Sequence, residues 1–191
     1  TQENCNVSLN VKQLYTVSFT VKAGDEFITT TEGITVAGAN TGAELKYDSA
    51  SEKFIISGLT NEIKIIVKLS GFEIAEKVFD ISNSNGDIIL TALNFDELRS
   101  AIEEAEEKAS QMTVSVDGTD VDSTGKWVTQ QTKDTLSAAI SQAKEVLDGE
   151  IFEQEDIDQA KSALDQAVAV FEAAASAGTK SEEAPSGGCT G

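Results

Sequence analysis

Histidine is absent from this 191-residue chain, proline and tryptophan each occur once, and cysteine occurs twice. Without an imidazole, the Ser-His-Asp and Cys-His arrangements of nucleophilic catalysis and the His-containing zinc sites are excluded. Two cysteines cannot close a structural zinc site by themselves. Basic residues are scarce as well: 14 Lys plus Arg stand against 33 Asp plus Glu, a net charge of -19. That charge repels phosphate backbones, and no basic cluster interrupts it, so a nucleic-acid partner is not expected. No stretch approaches the roughly 20 apolar residues of a membrane-crossing helix, and no membrane contact is expected within the chain. Aromatic residues make up 6% of the chain, which weighs against a sugar platform built on stacking faces. The first residue is Thr1 rather than Met, with no charged-then-apolar leader, so a processed or excised chain is expected.

What is present divides near Asn94. The stretch up to Asn94 has a net charge of -5, and the remainder has -14. The first part is rich in Val, Ile, Thr, Phe and Gly, and Val17-Ser18-Phe19-Thr20-Val21 alternates apolar and polar as a half-buried strand does. Further strands are predicted over 34–37, 44–47, 53–57, 63–69, 73–81 and 87–93, separated by turn chemistry such as Ala23-Gly24-Asp25-Glu26, Asn40-Thr41-Gly42 and Asn83-Ser84-Asn85-Gly86-Asp87. About seven short strands at this spacing predict an antiparallel sandwich over 15–94, Ig-like or prealbumin-like. The preceding extended segment, 1–14, contains a strand candidate from Asn6 to Leu14. It either joins these sheets or is donated to the open edge of a neighbouring subunit.

From Asp96 the apolar period becomes helical. Leu98, Ile102, Ala105, Ala109 and Met112 form one stripe, and Leu136, Ala139, Ile140, Ala143, Val146 and Leu147 a second, with Gly149 as its C-cap. Ile157, Ala160, Leu164, Ala167, Val168, Phe171 and Ala174 form a third. No single helix hides its stripe alone, so a three-helix bundle is predicted over 95–178, with acidic residues on its solvated faces. The remaining 179–191, with Pro185, Gly187 and Gly188, reads as a flexible tail.

The second half carries Asp117-Gly118-Thr119-Asp120-Val121, Lys126-Trp127-Val128-Thr129 and Glu155-Asp156-Ile157-Asp158, each followed by the helical stripes above. This pattern resembles the FIVAR ("found in various architectures") module, the three-helix unit of extracellular bacterial cell-wall proteins and large secreted carbohydrate-active enzymes. The resemblance implies export, a multi-modular parent and no catalytic residues to carry over. In the first half, Phe54-Ile55-Ile56-Ser57-Gly58-Leu59 followed by Ile65-Ile66-Val67-Lys68-Leu69-Ser70-Gly71-Phe72 is similar to carboxypeptidase-regulatory-like and collagen-adhesin B-type sandwiches. The adhesin likeness implies a candidate Lys–Asn isopeptide bond between Lys22 and Asn94, with Glu62 as the promoting acid. A solvated Lys beside a turn and a strand-end Asn are the competing reading.

Three other features bear chemistry. Asp117, Asp120 and Asp122 crowd one loop, and counting from Asp120 puts Asp122, Thr124 and Gly125 near calcium-loop spacing, with Gln131 where the closing Glu of an EF-hand belongs. Calcium is thus the one candidate cofactor, against an ordinary acidic turn leading into Trp127, itself read as a buried plug of the helical unit. The pairs Glu103-Glu104 and Glu106-Glu107 fall on a helix's outer face, where both carboxylates stay ionised, so two-carboxylate hydrolysis is not expected. Cys5 and Cys189 stand near opposite ends of the chain. They are candidates for an intrachain clasp, for a head-to-tail intersubunit disulfide that propagates as an open fibre, or for free thiols.

Together these readings predict a non-catalytic, extracellular, cell-surface module that spaces or assembles a larger structure, with identical subunits or other surface proteins as partners. The alternatives are a glycan- or matrix-binding adhesin and an accessory region of a secreted carbohydrate-active enzyme.

Overall fold

The computed structural model describes residues 12–180 and divides into two compact units at the Leu93–Asn94 junction. In the first, the alternating run forms β1 (Tyr15–Ala23), whose Val17, Phe19 and Val21 are fully buried. Gly24, at φ 62°, turns the chain into β2 (Glu26–Phe27), a strand too short for any alternation to announce. There follow β3 (Ile34–Ala37), β4 (Leu45–Asp48), β5 (Lys53–Leu59), β6 (Ile63–Val67), β7 (Ala75–Phe79) and β8 (Asn85–Leu90).

One sheet runs β8, β1, β5, β4, with β2 beside the far part of β1; the other runs β3, β6, β7. Both line one apolar core: Val17, Phe19 and Val21 meet Phe54, Ile56, Ile63, Ile65, Val67 and Phe79. Phe19 stacks on Phe54 at 5.3 Å between ring centroids and tilts against Phe79 at 5.6 Å. Where the chain changes sheets after β3, Asn40 acts as a bracket. Its Nδ2 donates to the Gly58 carbonyl at 2.9 Å, and its Oδ1 accepts from the Thr60 amide at 3.2 Å.

The expected all-antiparallel pairing needs one correction. β8 runs parallel to β1 over the six pairs from Ser18↔Asn85 to Ala23↔Leu90. The cause is the crossing between sheets that precedes it. β7 lies in the other sheet, so the chain is brought alongside β1 from the end where β1 begins, and a hairpin cannot form. Asp80 shapes that crossing, its Oδ1 accepting from the Ser82 and Asn83 amides at 2.7 and 2.8 Å. The Ser18 amide then donates to the Ser84 carbonyl at 2.9 Å and opens the parallel ladder.

The second unit contains α1 (Asp96–Gln111), β9 (Thr113–Val114), β10 (Lys126–Val128), α2 (Gln130–Asp148), α3 (Gln154–Ala174) and β11 (Ser176–Ala177). Strands first and three helices after is the order the sequence predicts. The helices contact one another pairwise and bury Leu98, Ile102 and Ala105, Leu136, Ile140 and Ala143, and Ile157, Leu164 and Phe171. Ala174, expected on the buried stripe, is exposed. Gly149 does cap α2, but at φ -85° in extended backbone rather than as a left-handed cap. A Cβ there would stand 2.9 Å from the Glu145 carbonyl oxygen, so the close approach explains the glycine.

Helix directions follow from two connections. β9, after α1, and β11, after α3, both pair with β10, just before α2, so those three helix ends lie together. At the opposite end, the Gln154 side chain brackets the backbone of Asn94, accepting from its amide at 2.8 Å and donating to its carbonyl at 3.1 Å. Hence α1 and α3 are parallel and α2 antiparallel to both.

Truncating the central ring, Phe54→Ala, is expected to cost the first unit roughly 3–5 kcal/mol through lost burial and an unfilled cavity. Urea denaturation followed by circular dichroism checks this, with the helical signal separating the second unit.

Candidate functional site

The densest polar arrangement in the first unit sits on the outer face of the β1–β8 pair. Side chains at alternate positions of both strands project there, and Asp87 is the hub. Its Oδ1 accepts from the Thr20 hydroxyl at 2.6 Å and its Oδ2 from Lys22 Nζ at 3.0 Å. Its backbone carbonyl accepts from Lys77 Nζ, on β7, at 2.9 Å. One turn of pleat earlier, the Ser18 hydroxyl bonds the Asn85 side chain. Thr20 is 92% removed from solvent although it faces outward, because these neighbours cover it. The Thr20 hydroxyl, with Lys22 next, holds the Asp87 carboxyl below the usual carboxylate range.

In the second unit, the polar focus is the loop between β9 and β10. The hydroxyl of buried Ser115 donates to Asp120 Oδ1 and accepts from the Gly118 amide at 2.9 Å. Gly118, at φ 77°, lies under Trp127, where a Cβ would overlap the indole. Trp127 is half-buried and its Nε1 donates to the Ala177 carbonyl at 3.1 Å; the fully buried aromatic of the helical core is instead Phe171. The strap after α3 is fastened across this loop by amides of Gly178, Thr179 and Lys180, which donate to the carbonyls of Gly125, Gly118 and Val121 at 3.0, 2.9 and 3.0 Å. Backbone pairing therefore runs through Lys180, two residues into the stretch that composition marks as tail.

The residues singled out from sequence fall as follows. Asp117 Oδ1 accepts from the Thr119 amide at 3.1 Å and its hydroxyl at 2.8 Å, which hold the carboxyl below its ordinary value. Asp120 serves Ser115, and Asp122 contributes its carbonyl to the Gly125 amide at 2.8 Å. Gln131, the expected closing position, is inside α2. Among the described residues no group of three His, Cys, Asp or Glu side chains gathers as a metal set. The loop is organised by its own donors.

The isopeptide candidates are placed as follows. Lys22 Nζ is committed to Asp87 and lies 5.2 Å from the centre of the Phe27 ring. Asn94 belongs to the second unit, where its Oδ1 accepts from the Asp96 amide at 2.9 Å at the start of α1. Glu62 is exposed, whereas a promoting acid must be desolvated. Cys5, Cys189 and the strand candidate as far as residue 11 lie outside the described residues.

Several open depressions occur among the described residues, and two of them, each within one unit, are bordered by charged side chains. One, of about 450 Å³, is bordered by Glu44, Lys46, Tyr47 and Ile55. The other, of about 700 Å³, follows α1 and α3 past Glu97, Asp158, Lys161 and Asp165, with Lys161 paired to Asp165 at 3.0 Å. The glutamate pairs of α1 are exposed, and Glu106 is bound to Lys144 of α2. Comparison with family models, with curated proteins and with solved structures yields no match.

Sequence reasoning missed Asp87, Gln154 and Ser115. For Asp87 the only local signal was polar residues at alternate positions of two distant strands, and their pairing depends on a register that sequence does not display.

Two outcomes follow from this geometry. Gly118→Ala should displace the indole and cost roughly 1–3 kcal/mol as overpacking. Because Trp127 is the sole tryptophan, its fluorescence reports the change directly. The second concerns acid. Asp48, Asp80 and Asp117 are held below their ordinary value near 3.8 by hydroxyl and amide donors, and Asp87 by the Thr20 hydroxyl and Lys22, partners that an unfolded chain lacks. A depressed folded pKa contributes stability that is complete above the unfolded value and disappears as pH falls through the folded one. Melting temperature should therefore drop from about pH 5 downward, and Asp87→Asn should flatten that decline. Thermal scans of both proteins across the acid range measure it.

Proposed function

We propose that this chain is a non-catalytic extracellular spacer, a segment that holds or assembles parts of a larger surface structure. The observation that carries the reading is that each unit receives the chain at one end and releases it at the other. In the first, β1 and β8 are adjacent and parallel, so the chain comes in where β1 begins and leaves beyond Leu90, where β1 finishes. In the second, the odd number of alternating helices separates Asn94 from the strap ending at Lys180. α1 alone separates those ends by about 24 Å at 1.5 Å per residue. A unit whose termini lie together adds a side branch; one whose termini lie apart adds length.

The finer fold readings belong to this proposal: an Ig-like or prealbumin-like sandwich followed by a FIVAR-like three-helix bundle. Solvated faces suit the role. Short edge strand β4 carries Lys46, paired with Glu44 at 2.9 Å, the kind of charged edge that discourages unwanted sheet growth. Head-to-tail linkage through Cys5 and Cys189 would extend the same logic from one chain to a string.

To test it, the chain is anchored to cells by its C-terminus with an epitope at its N-terminus, beside an unstructured linker of equal residue number. The folded chain should give greater antibody access through the surface polymer layer. Equal access, or saturable binding of the isolated chain to a glycan or matrix array, would replace the spacer with an adhesin. Non-reducing electrophoresis should additionally show a ladder that collapses with reductant if the terminal thiols link neighbours.

A further inference from the structure

The pairing of the first and last strands does more than separate the termini of the sheet unit. A pull along the chain draws β1 from its beginning and β8 from its end, in opposite directions along a shared ladder. The load then falls in shear on all of the registered pairs at once. In an antiparallel first–last pair, whose termini share one end, the same pull would open the ladder one bond after another. Hydrogen bonds broken together resist far more than the same bonds broken in turn, because no single rupture relieves the rest.

The side chains reinforce this one seam. Ser18 to Asn85, Thr20 to Asp87 and Lys22 to Asp87 cross it directly, and Lys77 ties the Asp87 carbonyl to β7 of the other sheet. Beneath it, Val17, Phe19, Val21, Ile88 and Leu90 are buried in the common core, so sliding β8 along β1 also drags apolar side chains out of register. The crossing turn at Asp80 and the bonds of Glu73 to Thr91 and Leu93 to Gly71, each 2.9 Å, fix β8 at both ends. Among the pairs in this unit, β1–β8 is the one that spans from incoming to outgoing chain.

The geometry points to a tension-bearing function: the β1–β8 seam, centred on Asp87, is a shear clamp that keeps the sheet unit folded under a pull applied through the chain's ends. This rests on the spacer reading and specifies what kind of spacer it is, one that sits in a line of force rather than merely filling distance. The partner implied is whatever the two ends are fixed to, a surface on one side and a load on the other.

Single-molecule force spectroscopy on the full chain tests it by changing only the points of attachment. In a background of Cys5→Ser and Cys189→Ser, handles are fixed at Gln13→Cys with Ala92→Cys, or at Gln13→Cys with Asn83→Cys. All three handle positions are exposed. The first pair loads the seam in shear, and the second peels it from the end where both strands begin. The sheet unit should rupture at about twofold or more higher force in the first geometry, as forced unfolding is set by the barrier along the pulled direction. Thr20→Val and Asp87→Asn should lower the shear rupture force and leave the peeling force nearly unchanged. Equal forces in the two geometries, or variants that lower both alike, would overturn the clamp. That failure leaves the surface-access result intact, so the clamp and the spacer reading fall separately.

Discussion

The parallel contact between β1 and β8 is the constraint on which the first unit depends. It joins the two ends of the unit's sequence, covers one side of β1 and fixes where the chain leaves. Parallel neighbours cannot be made by a tight turn, so the intervening strands must be distributed over a second sheet before the chain returns. The two-sheet core is the consequence. Phe19 can stack on Phe54 and meet Phe79 only because the return path places β7 opposite β1. Asp87 stabilises that return through the Thr20 hydroxyl and Lys22 ammonium at its carboxylate and the Lys77 ammonium at its carbonyl, partners drawn from two strands.

The second unit solves a comparable problem with other means. Three helices with small residues on their inner stripes make a core without much aromatic volume, and Phe171 supplies most of what there is. Its ends are then tied by polar contacts rather than by burial. Gln154 imitates a strand partner for Asn94 at one end, and the strap after α3 lies across the Gly118 loop at the other. Interhelix ion pairs such as Lys108–Glu172 at 2.8 Å and Lys144–Glu106 add little each in exposed positions, but they give a strongly acidic surface some fixed partners. The acidic excess also works against self-association through these faces.

Both units therefore put their polar organisation at the places where the chain comes in and goes out. Gln154 and Ser115 organise backbone, and Asp87 gathers side chains from β1 and β7 around β8. The same bonds that define the fold are those that tension along the chain would meet first.

Much of this architecture was legible in the sequence. Alternation at 17–21 and the three helical stripes depend only on the period of side chains about a strand or helix, which is local and survives without knowledge of partners. Turn glycines such as Gly24 likewise declare themselves, since few other residues adopt that backbone. The short pieces β2, β9, β10 and β11 were invisible because two or three residues cannot show a period. For the calcium and isopeptide candidates, sequence proximity suggested shared chemistry, while the hydrogen bonds of Asp117, Asp120, Lys22 and Asn94 run to separate partners. Composition and periodicity by themselves determined two kinds of unit, their order and their cores. Only the tertiary structure decided the direction of β8, the role of Asp87 and the ends from which each unit is held. Those depend on register and chain path, and contacts between residues some 67 positions apart leave no periodic trace along the sequence.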